Sequence, residues 1–230
     1  MTGSSGFIGA ELVKHWEGKY DIVTYDITDG QDIADMQQVK ESMDGCDVVV
    51  HLAAHRKPYE AKTFEDYFEN NCIGTFNVAQ AASELGIEKL IYTSSTGYYG
   101  IEKGIPFQRP VNENNLVLAQ HVKVDDLSCR DCDISYSTSK VIGEQVLANY
   151  GLTKKMQVIM LRLGPTRQKG VYKPFGDLGL HLKIENALQV FDKVIECKEK
   201  LWYEAFTIVD DNIDDVSIEK ARKMIGYNPE

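Results

Sequence analysis

The sequence is short of several things, and each shortage excludes a class of protein. No stretch is long and apolar enough to span a bilayer and no secretory signal opens the chain, so neither a membrane protein nor an exported one is expected. Basic residues are too few for a nucleic-acid partner: 25 Lys and Arg stand against 35 Asp and Glu, a net charge of −10, and affinity for a phosphate backbone comes mostly from Lys and Arg. A small anionic substrate needs only local positive charge and is not excluded. Cysteine is sparse, odd in number and scattered (Cys46, Cys72, Cys129, Cys132 and Cys197), which predicts reduced thiols and a cytoplasmic protein. Cys129 and Cys132 form a lone C-x-x-C with no second pair, so loop cysteines are expected rather than zinc. The acidic run at 210–215 lacks the glycine and the distal glutamate of a calcium loop, and reads as a solvated turn before a helix. Repeats and low-complexity segments are absent. Most conspicuous is the front of the chain, where only Met1 and Thr2 precede a glycine motif that ordinarily follows a buried strand.

That motif is Gly3-Ser4-Ser5-Gly6-Phe7-Ile8-Gly9, directly ahead of an amphipathic run over 10–16. Its spacing suits a tight loop opening a helix, since glycine allows sharp turns and close approach of the backbone to a ligand. The first helical turn then offers unpaired N–H groups and the positive end of a helix dipole to a pyrophosphate. Beyond it, strands are expected at 21–26, 47–54, 89–95 and 157–163, and helices at 36–43, 64–85 and 136–150. The 47–54 and 157–163 runs are almost unbrokenly apolar, the pattern of a parallel sheet covered on both faces. Alternation of this kind predicts an α/β fold with a doubly wound parallel sheet. A glycine- and proline-rich stretch follows from Pro165 to Gly179, then a helix over 182–198, a strand over 205–209 and a helix over 217–225. Two domains are therefore expected: residues 1–164, and a small C-terminal lobe over 165–230. With 43% hydrophobic residues a sizeable core is available.

Three features carry chemistry. Asp26 ends the second expected strand, 20 residues after Gly6, where an acid accepts hydrogen bonds from adenosine ribose and repels a 2′-phosphate, favouring NAD over NADP. Tyr136 and Lys140 stand one helical turn apart on one face, and an ammonium there favours the phenolate, so Tyr136 can exchange a proton near neutrality. Ser94, Ser95 and Thr96 end an expected strand, the place where ligands bind in open α/β sheets. Ser95 can hold a substrate oxygen while Tyr136 moves the proton.

Taken in order, these pieces resemble an extended short-chain dehydrogenase/reductase of the NAD-dependent epimerase/dehydratase family. The matching segments are the loop over 2–9, Asp26, His51-Leu52-Ala53-Ala54, Asn71-Cys72-Ile73-Gly74-Thr75, the run from Tyr92 to Gly100, Tyr136-Ser137-Thr138-Ser139-Lys140, and Leu161-Arg162-Leu163-Gly164-Pro165. The resemblance implies a Rossmann-type NAD-binding domain over 1–164 and a substrate-binding lobe after it. It implies Gly3, Gly6, Phe7, Ile8 and Gly9 at the pyrophosphate, Asp26 at the adenosine ribose, Asp32 and Ile33 beside the adenine, and Leu52, Ala53, Ala54 and Asn71 along the cofactor. It also implies Leu163 and Gly164 at the nicotinamide, and Ser95, Tyr136 and Lys140 as the catalytic serine, tyrosine and lysine, with Lys140 also reaching the nicotinamide ribose. Substrate would meet Ser95, Thr96 and Arg167. No metal is implied.

The short second half resembles sugar dehydrogenases such as uronate dehydrogenase more than nucleotide-sugar enzymes. However, Thr96 and Gly97 replace the Asn-His pair of the uronate enzymes and the Asp-Glu pair of the dehydratases. Arg167 and Lys169 stand in the loop after Pro165, where they can hold a substrate carboxylate or phosphate or, equally, be solvated loop charges. The expected activity is oxidation of a uronate or sugar phosphate, with a UDP-sugar 4-epimerase and a non-catalytic NAD-binding protein as alternatives. A homodimer through the helices at 64–85 and 136–150 is expected by resemblance, with no nucleic-acid or membrane partner. The segment over 114–132 is an insertion without an assigned role. The first strand is expected to be truncated, splitting the sheet and exposing ladder groups on both sides.

Overall fold

A computed structural model of the chain describes residues 1–56, 63–101, 108–119, 134–175, 178–210 and 215–230. Cys129, Cys132 and most of the acidic run and of the 114–132 insertion lie outside them. The chain divides into two compact units. The first holds Met1–Thr93, Ile142–Met160 and Glu199–Glu204, and the second Ser94–Val141, Leu161–Lys198 and Ala205–Glu230.

The main sheet has strands β1 (Val48–His51), β2 (Lys89–Ser95), β3 (Gln157–Leu163) and β6 (Tyr203–Ile208), in the order β1-β2-β3-β6. A two-stranded parallel pair, β4 (Thr166–Arg167) and β5 (Leu182–Lys183), stands apart from it. β1 and β2 run parallel, with Val48 opposite Lys89 and His51 opposite Tyr92. All seven residues of β3 are buried and six of seven in β2. That is why these runs lack strand alternation: both faces are covered.

The expected split in the sheet does not occur. Thr2 forms parallel bridges to Tyr25 on one side and His51 on the other. The amide of Thr2 donates to Val50 O (3.0 Å) and Leu52 N to Thr2 O (3.1 Å). On the opposite side Gly3 N donates to Tyr25 O (2.8 Å) and Tyr25 N to Met1 O (2.9 Å). A sheet position needs only ladder groups at the right spacing, and three residues supply them. The expected strand at 21–26 is correspondingly reduced to extended chain with one bridge at Tyr25, because its neighbour is so short.

Helix α1 (Phe7–His15) starts at Gly6 and ends with Lys14 and His15 in its last turn, favourable against the dipole. α2 (Met36–Met43) is capped by Asp35, whose carboxylate accepts from the amides of Gln37 and Gln38. The expected long helix at 64–85 is three pieces: α3 (Phe64–Tyr67), a π-helical turn over Phe68–Ile73, and α4 (Gly74–Glu84). A reciprocal capping box starts it, with Asp66 N donating to Thr63 Oγ1 (3.3 Å) and Thr63 N to Asp66 Oδ2 (2.9 Å). Gly74 packs closely at the end of the wide turn: a Cβ there would lie 2.5 Å from Ile33 Cδ1, and the Ile33 side chain would have to shift.

α5 (Ser135–Gly151) carries Tyr136 and Lys140. α6 (Ile184–Glu196) is amphipathic and buries Ile184, Ala187, Val190, Phe191 and Val194. α7 (Glu219–Ile225) closes at Gly226 with φ 66°, the left-handed cap glycine favours. Residues 182–183, expected to open α6, pair instead as β5. No helix among the described residues is long and apolar enough to cross a membrane.

Candidate active site

The first unit contains a cradle made almost wholly of backbone. Gly3 has φ 70°, and a Cβ there would lie 2.6 Å from the amide nitrogen of Ala53. A Cβ on Gly9 would lie 2.2 Å from Gly3 O and 2.8 Å from Ser4 Cα. Neither position accepts a side chain, so the loop folds tightly on itself and against the Leu52–Ala53 backbone. Gly6 serves as N-cap with no side-chain cap, leaving the first-turn amides of α1, including those of Phe7 and Ile8, for an anion.

Asp26 fastens the loop from the other side. Its Oδ2 accepts from Ser5 N (2.9 Å) and its Oδ1 from Thr28 N (3.0 Å). A carboxylate has about four acceptor sites, so ribose hydroxyls can still be received. Asp32 Oδ1 accepts from Ala34 N, and the Asp32 carbonyl from the Tyr25 phenol (2.8 Å). Ile33 is buried against Gly74, and its carbonyl accepts from Asn77 Nδ2 (3.0 Å). Leu52, Ala53 and Ala54 continue β1 as half-buried extended chain. Asn71, only 1% exposed, clamps the end of that wall: His55 N donates to its Oδ1 (2.8 Å), and its Nδ2 donates to His55 O (3.0 Å).

The second unit contains the side-chain chemistry. Ser95 ends β2, and its Oγ accepts from Gly97 N (3.0 Å), turning the chain into a 3-10 turn over Thr96–Tyr99. Thr96 is fully buried and its hydroxyl donates to Leu163 O (3.4 Å). A Cβ at Gly97 would sit 2.8 Å from Ser137 Oγ and 3.3 Å from Ser95 Oγ. The Ser137 and Ser95 side chains thus crowd the turn at 97, and a side chain there would have to displace them. Gly164 is equally confined, its would-be Cβ 2.9 Å from Val209 Cγ1. Leu163 beside it is buried at the end of β3.

Behind the turn, the Arg162 guanidinium lies 3.4 Å from the Tyr98 ring centroid and donates to the Tyr99 phenol (2.9 Å), which also bonds Thr207 Oγ1 (2.7 Å). Burial pushes the Tyr99 phenol up to about 12, outweighing the neighbouring guanidinium, which acts to lower it.

On α5 the Lys140 ammonium lies 5.9 Å from the Tyr136 ring centroid. Lys140 is 2% exposed and Tyr136 half-buried. The two side chains thus share one face of α5, one helical turn apart. Beyond β3, the two basic candidates part company. Lys169 pairs with Glu185 (3.7 Å). Arg167 is held by backbone carbonyls instead, donating through Nε to Lys173 O (3.2 Å) and through Nη1 to Thr166 O (3.3 Å). Sequence reasoning missed Ser5 as the loop's tie to Asp26, and His51, a buried histidine between Thr2 and Thr75. Nothing in local spacing marks either. Among the described residues no cluster of His, Cys, Asp or Glu is placed to hold a metal.

A parallel α/β sheet with a glycine cradle, a strand-end serine and a tyrosine–lysine pair defines a dinucleotide-dependent oxidoreductase fold. The model of the NAD-dependent epimerase/dehydratase family matches residues 1–171, and the chain belongs to that family. Among similar proteins is an L-arabinose 1-dehydrogenase (NAD(P)(+)) of Haloferax volcanii. It is 30% identical over 71% of this chain and 65% of its own length. An NAD-dependent glucose-6-phosphate dehydrogenase of the same organism is 26% identical over all of this chain and 92% of its own. Solved structures share the fold: a mutated uronate dehydrogenase has TM-score 0.76 at 18% identity, covering all of this chain and 80% of its own. A UDP-galactose 4-epimerase has TM-score 0.75 at 18% identity, covering 99% of this chain and 92% of its own.

Proposed function

We propose that the chain is an NAD-dependent dehydrogenase of a sugar that carries a phosphate or carboxylate. The observation that carries the substrate class is the state of Arg167. Its guanidinium is oriented by two backbone carbonyls, while the neighbouring lysine is exposed and turned towards Glu185. A fork fixed in that way retains donors for a planar bidentate anion. The full-length similarity to an NAD-dependent glucose-6-phosphate dehydrogenase supports the same class.

The cradle fits NAD: Gly3 and Gly9 let the loop close tightly against the Leu52–Ala53 backbone, and α1 presents amides with no side-chain cap. In this reading Gly3, Gly6, Phe7, Ile8 and Gly9 hold the pyrophosphate, Asp26 the adenosine ribose, and Asp32 and Ile33 flank the adenine. Leu52, Ala53, Ala54, Asn71, Leu163 and Gly164 line the remainder. Asp26 favours NAD over NADP. When bound, NAD supplies the hydride acceptor. The chain's own residues manage the substrate. Ser95 donates a hydrogen bond to the reacting hydroxyl oxygen, with Thr96 behind it. Tyr136, as phenolate, accepts the hydroxyl proton as the sugar C–H is oxidised at the anomeric carbon. Lys140 stabilises that phenolate and reaches the nicotinamide ribose.

The protein is a homodimer in the same reading. Phe64, Phe68, Ile73 and Phe76 leave 40–44% of their surface exposed along one helical stretch, and a second copy packing the 64–85 and 136–150 helices as a four-helix bundle covers them.

A spectrophotometric assay with NAD over free sugars, sugar phosphates, uronates and UDP-sugars tests this reading. Stoichiometric NADH formation with a phosphate- or carboxylate-bearing sugar is expected. Inversion of a UDP-sugar without net NADH would instead make the chain a UDP-sugar 4-epimerase, and NAD binding without turnover a non-catalytic binding protein.

A further inference from the structure

We infer that His51 is a positioning residue for the cofactor wall, held as the neutral Nε2–H imidazole and coupling the glycine loop to the turn that carries Asn71; this rests on the NAD reading above. His51 ends β1 and is 1% exposed. Its Nδ1 lies 2.7 Å from Thr2 Oγ1 and its Nε2 3.0 Å from Thr75 Oγ1.

With a neutral ring, the protons on this chain of groups have one consistent arrangement. Thr75 donates its only hydroxyl proton to the Asn71 carbonyl (2.5 Å), which can only accept. Towards His51, Thr75 Oγ1 must therefore accept, so Nε2 carries the ring proton. Neutral Nδ1 then accepts, and Thr2 Oγ1 donates to it. Thr2 Oγ1 keeps a lone pair for the amide of Ala53 (3.4 Å). The order runs from Ala53 N–H through Thr2, His51 and Thr75 to the Asn71 carbonyl, each group donating to the next. The π turn over Phe68–Ile73 holds the Asn71 at which this order ends. The ring of Tyr92 packs 5.6 Å from His51 and keeps it in place.

The two ends of this relay grip the same short segment. Thr2 sits at the root of the glycine loop and holds Ala53. Asn71 holds both backbone groups of His55. Between them lies Ala54, and with Leu52 and Ala53 it forms the wall along which the dinucleotide is laid. One ring sets both grips.

Two substitutions separate the ends. His51→Asn keeps an acceptor where Nδ1 faces Thr2 and removes the donor to Thr75. His51→Gln keeps a donor near Nε2 and removes the acceptor for Thr2. In the Gln variant the glycine loop loses its tie, so the KM and dissociation constant for NAD rise about tenfold or more, a larger factor than the fall in kcat. In the Asn variant the Asn71 turn is released, and kcat falls by a larger factor than the KM for NAD rises. Equal losses in both variants, or the opposite split, would overturn the inference. Ring 15N chemical shifts of the wild-type protein give an answer that needs no variant to fold. They should show a neutral His51 with its proton on Nε2, slow to exchange; an Nδ1–H ring or an imidazolium refutes the relay. Wild-type protein that fails to bind NAD would refute the cofactor reading, while the 15N shifts still decide the hydrogen-bond order.

Discussion

The cofactor cradle and the catalytic turn are built on opposite principles. In the first unit the working surface is backbone: Gly3 and Gly9 are fixed by atoms 2.6 and 2.2 Å from where a Cβ would be. The side chains there, Asp26, His51 and Asn71, hold the main chain in shape through buried hydrogen bonds. In the second unit the backbone is the support, and the proposed chemistry rests on side chains: Ser95, Tyr136, Lys140 and Arg167. A backbone site fails as a whole when one atom is added. A side-chain site can be dismantled one group at a time with the fold intact.

The largest effect should come from taking away a reacting group. Tyr136→Phe is expected to lower kcat by about 10²–10⁴, the range for losing general acid–base catalysis, with an unchanged melting temperature. Full activity in that variant would put the proton transfer elsewhere.

Next come two chemically identical substitutions in different surroundings. Gly9→Ala drives a methyl into Gly3 O and is expected to cost about 1–3 kcal/mol or more of stability through overpacking, with loss of NAD binding. Gly18→Ala, at φ 72° with open space around it, should cost only about 1 kcal/mol of backbone strain and leave NAD binding intact. Thermal melts with and without NAD would check both, and similar losses of binding at the two sites would remove the distinction between close approach and simple turn strain.

A smaller, selective effect is expected from Arg167→Ala. The KM for the anionic sugar should rise about 10- to 100-fold, as when a charge-assisted contact is lost, while the KM for NAD stays as it was. A matching loss with an uncharged sugar would mean that Arg167 acts on the loop rather than on the substrate.

Sequence showed the cradle well because its constraint is local. Glycine spacing and an acid 20 residues on are written in order along the chain. The tyrosine–lysine pair was equally plain, one helical turn apart. What sequence hid was set by partners distant in the chain. Counting residues before Gly3 predicted a broken sheet, yet Met1–Gly3 bond to the residue-23–25 segment on one side and to residues 50–52 on the other. Arg167 and Lys169 read alike as substrate contacts or solvated loop charges, and the pairing of Lys169 with Glu185 on α6 lies beyond local spacing. The π turn depends on hydrogen-bond register, which residue identity leaves open. His51 was legible only as part of the expected 47–54 strand and of a matching segment, because both of its ring partners lie far away in sequence.

The smallest effect concerns the support behind the catalytic turn. Burial holds the Tyr99 phenol up to about 12, above its unfolded value near 10. The folded form therefore keeps its proton where the unfolded form loses it. The associated stability is fully present below pH 10 and is lost as pH rises from about 10 to 12. Tyr99→Phe should remove that part of the alkaline fall in stability, and a wild-type phenol titrating at about 10 in the absorbance near 295 nm would contradict the burial argument.

Titration of NAD against wild type, Gly9→Ala and Tyr136→Phe tests the division of labour most directly. The account predicts that Tyr136→Phe binds NAD with an affinity within about tenfold of wild type while forming almost no NADH, and that Gly9→Ala shows no saturable binding. Tight NAD binding by Gly9→Ala, or its loss in Tyr136→Phe, would contradict it.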